Sequence, residues 1–140
     1  MRRGMIRYFF SGATGRREEL LFAATRLERL VENVEVVSRW IFRAPDADDY
    51  TWNDAVEDLK DVLEASVMVS FTGGGRGGRH VEFGYAVGVD RPITGGPRRF
   101  VLIGAKEHIF HEKPGLEIYP DFSAFLDEEM RQNLNPPHRP

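Results

Sequence analysis

Val67-Met68-Val69-Ser70-Phe71-Thr72-Gly73-Gly74-Gly75-Arg76-Gly77-Gly78-Arg79-His80-Val81-Glu82-Phe83-Gly84-Tyr85-Ala86 carries a strand, a turn and most of a helix in one run. The first six residues are nearly continuously apolar, as expected of a strand covered on both faces at the centre of a parallel sheet. The helix is predicted from about Arg79 to Val89, ending before Arg91-Pro92, because proline disfavours helical geometry in the residue before it. A strand feeding directly into a helix is the repeating unit of layered α/β proteins.

The rest of the chain repeats that unit. Ile6 to Phe10 reads as a first strand entering a small-residue turn, Ser11-Gly12-Ala13-Thr14-Gly15. From Arg16 onward Leu20, Ala24, Leu27 and Val31 recur at helical spacing, with Arg and Glu between them. Val34 to Phe42 is predicted as the second strand, and Arg43 to Tyr50 as an acidic, solvated loop. Thr51 is placed to cap a helix whose stripe is Ala55, Val56, Leu59, Val62 and Leu63, with Asp54 in its first turn. Arg99 to Gly104 and Leu116 to Tyr119 are the fourth and fifth strands, and Asp121 opens a last helix with Phe122, Phe125, Leu126 and Met130 on its apolar side.

Five strands alternating with four helices give a three-layer α/β sandwich, since right-handed crossovers leave few other topologies. The expected fold is flavodoxin-like, with a mainly parallel sheet in the order 2-1-3-4-5. Ligands in such sheets bind beyond the carboxyl ends of the strands, near the point where strand order reverses. That rule gathers Ser11 to Gly15, Gly73 to His80 and Glu107 to His111 at one edge.

The bulk composition sets limits on function. With 140 residues the chain suits one domain, assigned to residues 1–132, with a flexible tail over 133–140 that holds three prolines. A formal charge of −3 gives no global case for binding a nucleic acid polymer. No apolar run approaches membrane-spanning length, and the chain has no cysteine for disulfides or thiolate chemistry. The expected location is cytoplasmic, with no metal and no cofactor.

Glu82 is the most informative ionisable residue. On a helix it shares a face with Tyr85, Ala86 and Val89, so a core-facing stripe carries a carboxylate near its N-terminal end. Burial without a partner is costly and raises a carboxyl pKa. Two readings follow: Glu82 pairs with Arg79 or Arg76 across the turn, or it is a nucleophile or base at the mouth of a pocket. The glycine turn is compatible with an anion cradle, but it has no Gly-x-x-x-x-Gly-Lys-Ser/Thr. It matches a dinucleotide spacing only because it is mostly glycine. Gly84 and Gly88 leave one side of the helix bare, which predicts close packing there.

Gly77-Gly78-Arg79-His80-Val81-Glu82-Phe83-Gly84-Tyr85-Ala86, followed by a proline-preceded strand and Phe110-His111, resembles the nucleoside 2-deoxyribosyltransferase family. Tyr8-Phe9-Phe10-Ser11-Gly12-Ala13-Thr14-Gly15-Arg16 is similar to the first-strand loop of a related branch, the 2'-deoxynucleoside 5'-monophosphate N-hydrolases. The similarity spans about residues 6 to 126. It implies a commonly oligomeric flavodoxin-like enzyme that cleaves the bond between base and deoxyribose. The glutamate at position 82 would attack the anomeric carbon, and a first-strand tyrosine, Tyr8 with Phe9 as competing alignment, would orient it.

By the same resemblance Ser11, Gly12, Gly77, Gly78, Arg79, His80, Tyr85, Phe110 and His111 are the candidate substrate-binding residues, and Arg76, Arg79 and the glycine amides suit a 5'-phosphate. The partner implied is a small nucleoside or nucleotide, in a homodimer or higher homo-oligomer. Two departures stand out. The family's Asp at the start of the third strand is replaced within Ala65-Ser66-Val67, and its Asp shortly before the nucleophile by Arg76 or Gly77. Their loss gives a second reading, a non-catalytic module that binds or senses nucleotides on the same fold.

Overall fold

Three of the chain's most apolar runs become the central strands of a parallel sheet. β1 is Ile6–Ser11, β3 is Val67–Phe71 and β4 is Arg99–Ile103, with all five residues of β3 buried. The computed structural model describes residues 4–43, 51–74, 78–89 and 95–134. Short strands β2 (Val34–Val36) and β5 (Glu117–Tyr119) complete the sheet, whose order is β2-β1-β3-β4-β5 with every pair parallel. The expected order is the one observed.

Among the described residues four α-helices cover it: α1 (Arg17–Leu30), α2 (Trp52–Glu64), α3 (Gly78–Gly88) and α4 (Phe122–Leu134). Strand alternation sends side chains to two layers. Tyr8, Phe10 and Phe71 face α4, where Phe10 and Phe71 both meet Phe122 at 5.9 Å between ring centroids. On the opposite face Phe100 meets Phe83 of α3 at 5.8 Å. Tyr8, Phe10, Phe71, Phe83 and Phe100 are fully buried, and each contributes roughly 1.5–3 kcal/mol relative to exposure. Among the described residues, no helix is long and apolar enough to cross a membrane.

Local sequence sets the helix starts. Thr51 and Asp54 form a reciprocal capping box, the Thr51 hydroxyl accepting from the Asp54 amide and the Asp54 carboxylate from the Thr51 amide. Asp121 accepts from the Ala124 amide at 2.9 Å at the start of α4. Gly104 closes β4 at φ +114°, where a Cβ would lie 2.3 Å from Thr72 Oγ1. The missing side chain lets Thr72 approach closely, and its amide donates to the Ile103 carbonyl at 3.0 Å, joining the ends of β3 and β4.

Two expectations need correction. The second strand ends at Val36, and Arg39–Phe42 turns into a 3-10 helix. Side chains take over from the ladder: the Phe10 amide donates to Ser38 Oγ at 2.5 Å, and the Trp40 indole donates to the Phe10 carbonyl at 2.9 Å. The Gly84 and Gly88 pair does not serve close packing, since a Cβ at either position meets nothing within 4 Å. Buried Phe83 and Ala86 anchor α3 instead. Most of the acidic loop (44–50) and most of the expected tail (135–140) lie outside the described residues, while α4 itself runs through Leu134.

Candidate active site

Parallel strand order places the ends of β1, β3 and β4 side by side, and α3 lies across β1 and β3. Ser11, the last residue of β1, is fully buried and points to the α3 side of the sheet. Its Oγ donates to Glu82 Oε1 at 2.6 Å and lies 3.5 Å from the Arg79 carbonyl oxygen. A carboxyl group on the core-facing stripe of α3 is therefore held at the carboxyl edge of the sheet.

Its surroundings disfavour charge. Burial is the main cause that lifts the Glu82 pKa to about 8, and the negative charges of Asp58 and Asp61 on α2 add to it, against the lowering effect of Ser11. Asp61 is itself buried and paired, with Arg39 Nε donating to its Oδ1 at 2.8 Å and the Arg39 amide to its Oδ2 at 3.1 Å. Glu82 is thus a carboxyl poised to titrate near neutrality, a property that fits a group used in chemistry. The acidic neighbours on α2 were not singled out from sequence, although Asp58 and Asp61 share one helix face by their spacing.

The start of the glycine turn, Thr72 to Gly74, is held by side chains from three segments of the chain. Gly73 and Gly74 adopt φ of +99° and +72°, a region L side chains rarely occupy. Arg79, almost fully buried, donates to the Gly74 carbonyl and binds Glu107 through Nε at 3.3 Å and Nη2 at 3.0 Å. Glu107 also accepts from the Gly73 amide at 3.3 Å, and Arg16 donates to the Thr72 carbonyl at 2.7 Å. Burial works against the Glu107 charge, but Arg79 outweighs it and the carboxyl pKa is lowered. The pairing of Glu82 with Arg79 considered from sequence is replaced by this clamp, and Arg76 lies outside the described residues.

Tyr8 does not reach Glu82. Residues 8 and 11 of a strand point to opposite faces, and the Tyr8 hydroxyl donates to Glu129 Oε2 on α4 at 2.6 Å. Burial and the adjacent Glu129 carboxylate keep the phenol protonated, with its pKa far above normal. Glu129 is also ion-paired with Arg99, whose Nε binds Glu117 at 2.5 Å. The role assigned to Tyr8 from sequence therefore gives way to a structural one. Phe9, the competing alignment, points to the α3 side but offers no hydroxyl.

The other candidates divide into two groups. Gly12 packs tightly, since a Cβ there would lie 2.9 Å from Leu20 Cδ2. Gly78 begins α3, Tyr85 is half-buried against the core, and Gly77 lies outside the described residues. His80 and His111 join His108, which the sequence reading passed over. The centroids of His108 and His111 are 3.7 Å apart and those of His80 and His108 4.5 Å, and Phe83 contacts His108 and His111. The cluster thus packs on Phe83, the residue next to Glu82 in α3.

His111 is buried and its Nδ1 accepts from the Glu107 amide at 2.8 Å, so the neutral ring carries its proton on Nε2. Burial, then the neighbouring His108, lower its pKa to about 4. Among the described residues no group of three or more His, Asp or Glu is arranged to hold a metal ion. Phe110 is half exposed on the same loop, with its ring 5.9 Å from that of His108. A separate open recess of about 380 Å³ near β2 is lined by Glu35, Arg39, Asp61 and Glu64 among others, and does not include Glu82.

No family model matches the chain, and no curated protein matches it. Among solved structures it is similar to the CMP N-glycosidase BcmB of Clostridium botulinum, with a TM-score of 0.53 and 20% sequence identity. The similarity covers 87% of this chain and 96% of that one. At that identity the likeness shows the shared α/β fold.

Proposed function

We propose that this protein cleaves the N-glycosidic bond of a nucleoside or nucleoside 5'-monophosphate, with Glu82 as nucleophile. The observation that carries the reading is the Glu82 carboxyl held by Ser11 at the carboxyl edge of the sheet, in surroundings that bring its pKa to about 8. The fold shared with a structure described as a CMP N-glycosidase supports the substrate class.

In this mechanism the ionised Glu82 attacks the anomeric carbon as the bond to the base breaks. The base departs with the bonding electron pair and takes up a proton from solvent water, leaving the sugar bound to the Glu82 carboxylate as an acylal ester. Water or a second base then attacks the same carbon and frees the carboxylate. Ser11 holds the nucleophile in place and stabilises its charged form. Arg79 serves the reaction indirectly, by fixing the glycine turn through Glu107 and the Gly74 carbonyl.

A panel of ribo- and deoxyribonucleosides and their 5'-monophosphates, each incubated with and without a second free base, tests the proposal. Free base is the expected product, and an exchanged nucleoside appears in addition if transfer occurs. Absence of product from every substrate overturns the reading.

The second reading, a nucleotide-sensing module, is favoured by one observation: Ala65-Ser66-Val67 and Arg76-Gly77 stand where the family it resembles carries aspartates. It predicts that a nucleotide raises the melting temperature without turnover, by about 2.7 kcal/mol of added stability at 100 times its dissociation constant.

A further inference from the structure

Ser70 carries a buried hydroxyl that the mechanism above leaves idle. The residue is 3% exposed, and among the described residues its Oγ has no hydrogen-bond partner. Buried hydroxyls are nearly always paired, because an unmade hydrogen bond leaves the desolvation cost uncompensated. An idle one at this place in the fold calls for a physical reason.

Its position supplies one. Ser70 is the direct register partner of Ser11 on the neighbouring parallel strand, so the two side chains leave the same face of the sheet side by side. That face lies under α3, which packs on both β1 and β3. Ser11 has a single hydroxyl proton, and it goes to one carboxylate oxygen, Oε1 of Glu82. An ionised carboxylate accepts from about four directions, whereas a neutral carboxyl has less acceptor capacity.

Among the described residues, the remaining groups around Glu82 do not stabilise its charge. Asp58 and Asp61 face it from α2 with like charge, and Arg39 is bound to Asp61. On α3 the Arg79 guanidinium is taken by Glu107 and the Gly74 carbonyl. The Arg79 carbonyl near Ser11 is an acceptor.

We infer that Ser70 is a positioning residue for Glu82, its hydroxyl turning to the carboxylate as a second donor beside Ser11 when that group loses its proton. The hydroxyl pair then fixes the orientation of the charged group. Only the catalytic consequence rests on the reading of Glu82 as nucleophile; the hydrogen bond itself does not.

The test is a ¹³C NMR titration of the Glu82 carboxyl in glutamate-labelled protein, with its signal assigned through Glu82→Gln. Ser70→Ala and Ser70→Val remove the donor, whereas Ser70→Thr keeps it in nearly the shape of valine. The expected result is a midpoint raised by about one unit, a tenfold change in the ionisation constant, in the Ala and Val variants and near wild type in the Thr variant. Midpoints unchanged in folded Ala or Val variants overturn the assignment, and either variant alone suffices. A shifted midpoint in a protein that turns over no substrate upholds Ser70 and removes the proposed function. Turnover without the shift does the reverse.

Discussion

Ser11 Oγ donates to Glu82 Oε1 at 2.6 Å, joining the end of β1 to the second turn of α3 across 71 positions of sequence. The bond opposes the burial and the α2 carboxylates that raise the Glu82 pKa to about 8. If the ionised group is the nucleophile, kcat/KM rises about tenfold per pH unit below that value and levels off above it. In Ser11→Ala the plateau moves to higher pH, and kcat/KM at pH 7 falls about 10- to 100-fold, the worth of a hydrogen bond to a charged group. A pH–rate profile of both proteins checks this, and a flat wild-type profile between pH 5 and 8 contradicts it.

The same group governs a stability difference. A folded-state pKa raised from 4.5 to about 8 means that the folded protein binds the proton more tightly than the unfolded chain. The stabilisation is complete below about pH 4.5, declines as pH rises, and is lost once pH passes 8. Relative to wild type, Glu82→Gln should therefore gain melting temperature across that window. Differential scanning calorimetry from pH 4 to 9 reads the gap, which stays constant if Glu82 has an ordinary pKa.

Arg79 is predicted to act through the turn. Its side chain is 7% exposed and Glu107 is 27% exposed, so Arg79→Met leaves a partly buried carboxylate without its cation and the Gly74 carbonyl without this donor. The expected loss is roughly 2–4 kcal/mol. Arg79→Met combined with Glu107→Gln should recover part of it. Were Arg79 instead a phosphate ligand, the single variant would raise KM for monophosphates alone and leave the melting temperature unchanged.

Tyr8→Phe removes the donor to Glu129 and leaves a buried carboxylate oxygen unsatisfied. A loss of about 1–3 kcal/mol by urea denaturation is expected, with kcat unchanged. A fall in kcat at full stability would restore the orienting role inferred from the family resemblance.

Much of this fold is legible in the chain itself. The apolar run Val67 to Phe71, the Thr51 and Asp54 box, and the alternation of strand and helix, with right-handed crossovers, leave few topologies, and the expected order 2-1-3-4-5 is one of them. The early end of β2 was not legible, because Ser38 and Trp40 replace ladder bonds through side chains that meet Phe10 only in the folded state. The Arg79–Glu107 clamp spans 28 positions and leaves no local pattern. The placement of Tyr8 is different. Its spacing of three from Ser11 already puts the two on opposite faces of β1, so strand parity alone argues against both reaching Glu82. The pairing of Ser70 with Ser11 needed the register of two strands, which sequence does not supply.

The most direct test of the account is covalent trapping at Glu82. A 2'-fluoro-arabino analogue of a nucleotide that the protein cleaves should slow the second step and accumulate the sugar ester. Peptide mass spectrometry should then find the added sugar mass on the segment containing Glu82, and Glu82→Ala should show no adduct and lose about 10³-fold or more in turnover. An adduct on another residue, or full activity in Glu82→Ala, contradicts the central claim.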